Sequence, residues 1–218
     1  MRGRDIKRYE YNFADLWLIA TFPSKKYDIN DFPAIKNHLL SFGIERLEQT
    51  GKTHIVNGTK ITARKKTMNK WFETQDSISY WDDFSKQKIM YNDICQQLSF
   101  CLVPSDVYCV NTVYFIKDNP HIVYLLACLN SNIINWYYRT LSVQLGESAV
   151  RMFSIYVLNI AIPQPTKEDE LKITQLVQQR MQSKELSVQQ ECEREIEQIL
   201  IKLYHLSQEE MSYINHTL

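Results

Sequence analysis

The sequence predicts an α+β fold, with a mixed, mostly antiparallel sheet core, packed helices and a helical C-terminal brace. Two observations predict it. Short segments rich in β-branched and aromatic residues, separated by turn signals, occupy residues 88–91, 99–103 and 107–116. After residue 165 the apolar side chains recur at helical spacing instead, as in Ile196, Ile199, Leu200 and Leu203. We therefore expect one domain over residues 1–165 and a helical segment over 166–218, packed on that domain or on a partner.

The N-terminal elements are predicted to be two strands and then a helix. The strands are residues 6–11 and 16–22, and the second is a nearly continuous apolar run, which indicates burial on both faces. Asp31 has the form of a helix N-cap ahead of Pro33, and the apolar spacing from Ile35 to Leu47 predicts a helix interrupted near Gly43. The polar residues 49–60, with the pair Asn57-Gly58, predict an exposed loop or a hairpin turn.

The later elements are mostly helical. Helices are predicted over 121–129 and 131–141, with Asn130 or Ser131 as the cap between them, followed by a strand over 155–162. The segment Pro163-Gln164-Pro165 marks a boundary. Helices over 167–184 and 188–204, with a short third helix after Ser207, complete the chain.

Charge is distributed unevenly although the 218 residues carry no formal net charge. Residues 1–90 hold 16 Lys and Arg against 11 Asp and Glu, whereas residues 166–218 hold 6 against 10. A neutral total therefore permits a basic, phosphate-binding surface in the first part of the chain. The five cysteines and five histidines are scattered without metal-ligand or disulfide-framework spacing. No apolar run reaches membrane-spanning length and no signal-type segment is present, so we expect a cytoplasmic protein with no membrane partner.

The stretch 64–91 is the candidate site. Four cations lie within seven residues at its start and lead directly into aromatic and amide side chains, the mixture that holds phosphates and touches base edges. The alternative interpretation is a solvated basic loop ahead of a half-buried Trp and Phe. The candidate DNA contacts are Arg64, Lys65, Lys66 and Lys70 for phosphates, and Asn69, Trp71, Gln75, Tyr80 and Asn92 for base edges.

These residues also carry a family resemblance. The run Lys70-Trp71-Phe72-Glu73 with Gln75, then Tyr80-Trp81 and Lys88-Ile89, resembles the TaqI-like C-terminal specificity domain. That domain is the target-recognition part of adenine-N6 DNA methyltransferases and type IIG restriction-modification enzymes. The resemblance extends over nearly the whole chain, through the segments Arg2–Tyr9, Leu129-Asn130-Ser131, Ile162-Pro163, Glu193–Glu197 and Leu203-Tyr204.

The resemblance implies a partner, a cofactor and a division of labour. The partner is double-stranded DNA, with Arg151 as a further phosphate contact. S-adenosylmethionine is implied for a methyltransferase domain that is not in this chain, and a nuclease domain would accompany it in a type IIG enzyme. The Asn/Asp-Pro-Pro-Tyr/Phe motif, a glycine-rich cofactor loop and an Asp…Glu-x-Lys nuclease motif are all missing from the sequence. We therefore assign no catalytic, cofactor-binding or metal-binding residue.

Two other classes of function remain open. The first is a protein-interaction or scaffold domain that uses the acidic C-terminal helices, with the basic loop merely solvated. The second is an independent enzyme, which ranks last because no nucleophile, base and orienting group can be named together.

Overall fold

The computed structural model describes residues 1–146 and 148–218, and these residues form an α+β fold, as predicted. Two compact units divide them: residues 1–15 with 82–218, here called the core unit, and residues 16–81, here called the inserted unit. The predicted boundary at residue 165 is not an edge of either unit, and it stays a prediction about the recognition domain.

The regular elements are short in the first half of the chain and longer towards the C-terminus. The strands are β1 (Ile6–Lys7), β2 (Glu10–Tyr11), β3 (Thr53–Val56), β4 (Thr59–Thr62), β5 (Lys88–Asn92), β6 (Ile94–Cys95), β7 (Phe100–Val103), β8 (Val113–Ile116), β9 (Gln144–Leu145) and β10 (Ala149–Arg151). The helices are α1 (Pro33–Leu40), α2 (Ile44–Leu47), α3 (Ile122–Leu129), α4 (Asn132–Leu141), α5 (Ser154–Val157), α6 (Lys167–Gln182), α7 (Leu186–Leu203) and α8 (Gln208–Thr217). Single 3-10 turns lie at Gly3–Asp5, Pro23–Lys25, Ile29–Asp31 and Trp81–Ser85.

The core unit is built on three small sheets. β5 is the centre of a three-stranded sheet with β7 and β8, while β10 lies between β6 and β9, and β1 pairs with β2. Every strand pair among the described residues is antiparallel. Ile89 and Tyr91 of β5 and Phe100 of β7 belong to one hydrophobic cluster with residues of α3 and α4. This burial follows from the β-branched and aromatic composition of the central segments.

Two polar side chains between α3 and α4 are buried and bonded. The Ser131 hydroxyl accepts the N–H of Ile134 at 3.1 Å and so caps α4. The Asn130 amide donates to the carbonyl of Phe100 and accepts the N–H of the same residue, both at 3.0 Å. Of the two residues that the sequence offered as the cap of α4, Ser131 is the one that caps it. Asn130 bonds instead to the main-chain N–H and carbonyl of β7, as a residue of a neighbouring strand would.

The C-terminal helices pack against the rest of the core unit, to which they belong. Ile196 and Leu200 are buried in the same hydrophobic cluster as α3, so the predicted stripe of α7 is used inside this unit. The buried Arg180 donates to Glu193 at 2.8 Å, and Glu193 also accepts from Arg8 at 2.8 Å. The helical segment is thereby joined to the turn that connects β1 and β2.

Four predicted strands or strand parts are wrong. Residues 6–11 are not one strand, because a turn at residues 8–9 divides them into β1 and β2. Residues 16–22 contain no strand, and Leu16, Trp17 and Leu18 are 65%, 85% and 60% exposed rather than buried. An apolar run alone does not specify a strand, because a strand needs a neighbour to pair with, and no strand among the described residues pairs with this segment. Of residues 107–116 only 113–116 form a strand, since a turn bond from Val113 N–H to the Val110 carbonyl interrupts the segment. Residues 155–162 begin as the helical turn α5 and continue without regular structure.

The inserted unit begins with an irregular segment and continues into α1, α2 and a hairpin. The helix predicted up to Leu47 is confirmed, with its interruption at Gly43, whose φ of +87° favours glycine. Pro33 is its first residue, but the N-cap is Phe32 rather than Asp31. Asp31 lies in the preceding 3-10 turn, one residue too early to cap the helix.

Candidate nucleic-acid interface

The basic charge of the chain is concentrated in the inserted unit. Residues 16–81 hold 10 Lys and Arg against 6 Asp and Glu, whereas the core unit holds 15 against 19. Within the inserted unit, residues 49–72 carry six Lys and Arg and no acidic residue. This acid-free segment forms the β3–β4 hairpin and the loop that follows it. Its charge suits a polyanion such as a nucleic acid.

The hairpin is turned by the Asn57-Gly58 pair, one of the alternatives that the sequence left open. β3 and β4 pair antiparallel from Thr53↔Thr62 to Val56↔Thr59, with two residues at the turn. Both turn residues have positive φ, +49° for Asn57 and +77° for Gly58, which is the type I′ geometry that two-residue hairpins favour. Backbone bonds extend the ladder beyond the strands, from Ala63 N–H to the Lys52 carbonyl and from Gly51 N–H to the Arg64 carbonyl. The hairpin is therefore about six residue pairs long.

Arg64 fastens the root of the hairpin to the surrounding loops. Its Nε and Nη2 donate to the carbonyl of Leu47 at 2.9 and 2.7 Å, Nη1 donates to Glu73 at 3.0 Å, and Nη2 also donates to Trp71. Burial lowers the pKa of the Arg64 guanidinium, and the three carbonyls offset that cost with charge-assisted hydrogen bonds. The structure thus directs all three guanidinium nitrogens of Arg64 to the protein itself.

Asn69 and Gln49 hold the loop after the hairpin in one shape. The Asn69 amide donates to the carbonyls of Thr74 and Gln75 at 3.0 and 3.1 Å. The buried Gln49 amide donates to the carbonyls of Lys70 and Glu73 at 3.0 and 2.8 Å. Gln49 was not among the predicted site residues, since an amide in a polar segment reads as solvated unless its acceptors are known.

The remaining candidates of the inserted unit differ in exposure. Lys65, Lys66 and Lys70 are exposed, and the Lys70 Nζ lies 5.6 Å from the centre of the Phe72 ring. Trp71 and Gln75 are half-buried, and Tyr80 is 52% exposed. The three lysines therefore present their charge to solvent beside the hairpin, while the aromatic and amide candidates combine packing with partial exposure.

Asn92 and Arg151 belong to the core unit. Arg151 Nη1 donates to the Asp93 carboxylate at 2.6 Å, and its guanidinium carbon lies 5.1 Å from the centre of the Phe153 ring. Asn92 is the last residue of β5, and its side-chain oxygen is buried with no hydrogen-bond donor among the described residues. Unlike the exposed lysines, Arg151 already has an anionic partner.

The described part of the chain has neither a metal-binding cluster nor a membrane-spanning helix. No cluster of three or more His, Cys, Asp or Glu side chains there is arranged to hold a metal ion. Nor does any helix in residues 1–146 and 148–218 combine the length and apolarity needed to span a membrane. The cysteines are free thiols, and burial raises the pKa of Cys95 to about 11 and that of Cys101 to about 12.

An α+β module with an acid-free, cationic hairpin and loop has the features expected of a protein that binds a polyanion. The family model described as the TaqI-like C-terminal specificity domain matches residues 1–163 of the 218. The chain belongs to this family, as its motifs predicted, and it is a DNA sequence-specificity module of the restriction-modification type. No curated protein was found to match it.

Proposed function

We propose that this chain recognises a specific double-stranded DNA sequence and presents an adenine within it to an adenine-N6 methyltransferase domain outside these 218 residues. S-adenosylmethionine would be the methyl donor of that domain, and we assign no residue of this chain to it. In a type IIG arrangement the same module would also position a nuclease domain. The observation that carries the DNA-binding part is the acid-free segment 49–72, which bears six cations in a chain of the specificity-domain family.

The exposed cations of this segment are the best candidates for phosphate contacts. Lys65, Lys66 and Lys70 follow directly from a hairpin root whose shape is held by buried hydrogen bonds. Because the backbone that carries these lysines is already held in one shape, it does not have to become ordered when DNA binds. This reduces the entropy cost of association. Trp71, Gln75 and Tyr80 then contribute near base edges. Asn92 and Arg151 lie in the core unit, and their contact with DNA stays a prediction.

The two predicted residues with internal partners are assigned differently. Arg64 and Asn69 donate to main-chain carbonyls of their own loops. We propose that they act on DNA indirectly, by holding the loop that carries the lysines.

The test is a selection from a random-sequence duplex pool, bound by the purified chain across a salt series and sequenced after retention. We expect an enriched motif that contains an adenine on at least one strand, with affinity that falls steeply as salt rises. The double variant Lys65→Gln/Lys66→Gln should lower affinity for every sequence and reduce the salt slope by about 1.8, at roughly 0.9 per phosphate contact. The matched control is Lys167→Gln/Lys184→Gln, which removes two exposed cations from the C-terminal segment.

Each negative result addresses a different part of the proposal. No retention at low salt would refute autonomous DNA binding and would favour the scaffold alternative with the acidic helices. An enriched motif without any A·T pair would contradict adenine methylation but not sequence recognition. Equal losses from the two lysine pairs would show that only net charge matters.

A further inference from the structure

The β3–β4 hairpin has one face whose side chains are all exposed to solvent. Residues directly opposite each other in an antiparallel pair lie on the same face of a sheet, so Thr53, Ile55, Lys60 and Thr62 share one face. All four are exposed, and Ile55 is 79% exposed. The other face, which includes His54 and Ile61, is half-buried. The hairpin therefore lies on its unit with one face and presents the other to solvent.

We infer that this hairpin enters the major groove of the recognised duplex and that its exposed face contacts base edges there. This inference rests on the proposed function, because it names the element by which the same site reads sequence. None of the four residues was among the contacts predicted from the sequence. The sequence signals for the element were Asn57-Gly58 and the absence of acidic residues from 49 to 72.

The dimensions of the hairpin fit the groove. Two strands lie about 4.8 Å apart, and four residues of strand extend roughly 13 Å. The B-DNA major groove is about 12 Å wide and 8.5 Å deep and admits a two-stranded ribbon. When the tip reaches the floor of the groove, the root of the hairpin, with Lys52 and Lys65, remains near the level of the phosphates.

The chemistry of the exposed face fits base edges better than it fits another protein surface. Ile55 is a large apolar side chain on an acid-free, cationic surface, and the thymine methyl group is the apolar feature of the major groove. Thr53 and Thr62 carry hydroxyls that donate to or accept from base edges, and Lys60 can donate to guanine N7 or O6. Charge complementarity thus favours the polyanion, with Ile55 as the discriminating contact.

The experiment measures affinity for the enriched motif in duplexes with single modified bases. Uracil in place of thymine removes the methyl group, and 7-deazaguanine in place of guanine removes N7, both from the major groove. Inosine in place of guanine removes the minor-groove amino group. We expect the unaltered chain to lose roughly five- to a hundredfold in affinity when a contacted major-groove group is removed, and to be insensitive to inosine.

The variants are Ile55→Ser and Thr62→Val. Serine at position 55 also weakens the strand itself, so the second variant is an isosteric change that keeps a β-branched side chain. Each should lower affinity for the motif, relax the base preference at one or two positions, and make the chain insensitive to the matching base modification. Neither removes a charge, so the salt slope should not change. The control is Leu171→Ser, at a 61% exposed apolar position of α6. Circular dichroism verifies folding of all three.

The outcomes separate this inference from the proposed function. Failure of the unaltered chain to bind any duplex refutes both. An enriched motif that Ile55→Ser and Thr62→Val bind with unchanged affinity and unchanged base preference refutes the hairpin and leaves the function standing. Sensitivity to inosine alone refutes the major-groove placement.

Discussion

Replacing Arg64 by lysine separates two roles that the sequence could not distinguish. The substitution keeps the positive charge that a phosphate would require but removes the planar fork of donors. In the structure that fork serves the carbonyls of Leu47, Trp71 and Glu73. A lysine ammonium at the same position has the reach for one of these acceptors. We therefore expect Arg64→Lys to destabilise the inserted unit while leaving the net charge of the chain unchanged.

The magnitude follows from the acceptors left without a donor. Each hydrogen bond from a charged group contributes about 1.5–3 kcal/mol, and partial exposure to water reduces the loss per acceptor to about 1 kcal/mol. Two carbonyls left without a donor, together with a weaker hydrogen bond to the third, lower the free energy of unfolding by about 2–3 kcal/mol. For a chain of this size that corresponds to a fall in Tm of roughly 5–10 °C. Thermal unfolding followed by tryptophan fluorescence measures it, since Trp71 and Trp81 report from the inserted unit.

The control is Lys65→Gln, which removes an exposed charge beside Arg64. Its stability should stay within about 0.5 kcal/mol of the original chain, while its DNA affinity falls. The reasoning is refuted if Arg64→Lys unfolds at the original temperature and binds the enriched motif at least tenfold more weakly. That result would make Arg64 the direct DNA contact that the sequence predicted.

Three further changes act on polar groups of the core unit: Lys88 and Asn130, which are buried, and Glu197, which is half-buried. Lys88→Met removes an ammonium that donates to three main-chain carbonyls. Burial lowers the pKa of Lys88 in the folded chain, so the unfolded chain binds the proton more tightly. The original chain should therefore gain stability relative to the variant as pH rises towards about 10.5, as measured by urea unfolding. Glu197→Gln should flatten the pH profile of stability, because burial raises the pKa of Glu197 and the original chain loses stability as pH rises from about 4.5 through the folded-state pKa. Asn130→Asp removes the donor to the Phe100 carbonyl and introduces a buried carboxylate, and it should cost about 2–4 kcal/mol in the same assay at pH 7.

Contradicting results are specific to each group. A constant difference between the original chain and Lys88→Met at all pH values would show that Lys88 has the same pKa folded and unfolded. A stability profile unchanged by Glu197→Gln would place the pH dependence on other carboxylates. Full stability of Asn130→Asp would mean that the amide does not hold α3 to β7.

Local chemistry was predictable where a single short-range rule applied. The type I′ turn at Asn57-Gly58 and the break at Gly43 follow from backbone preferences of the residues themselves, and the cap at Ser131 follows from a hydroxyl that can accept a backbone N–H of the next helix. The segment at Trp17 was not predictable in this way, since its strand character depended on a pairing partner that only the tertiary structure supplies or withholds. Residue type likewise does not distinguish a DNA contact from an internal clamp, and Arg64 is the clear instance.

Internal hydrogen bonds, here called the clamps, explain how the loop keeps one backbone shape while the side chains that it exposes can be substituted. Gln49, Arg64 and Asn69 satisfy the main-chain carbonyls of residues 47, 70, 71 and 73–75, and none of these bonds uses the side chain of an exposed lysine. The shape of the loop is therefore energetically separate from the side chains that it presents. Substitutions at Ile55 should change which duplexes are bound, and substitutions at Lys65 should change how tightly every duplex is bound, both with little change in stability. Substitutions at the clamps should reduce stability and binding together. A module whose task is to read sequence gains from that separation, because its contacts can vary without a new fold being required for each target.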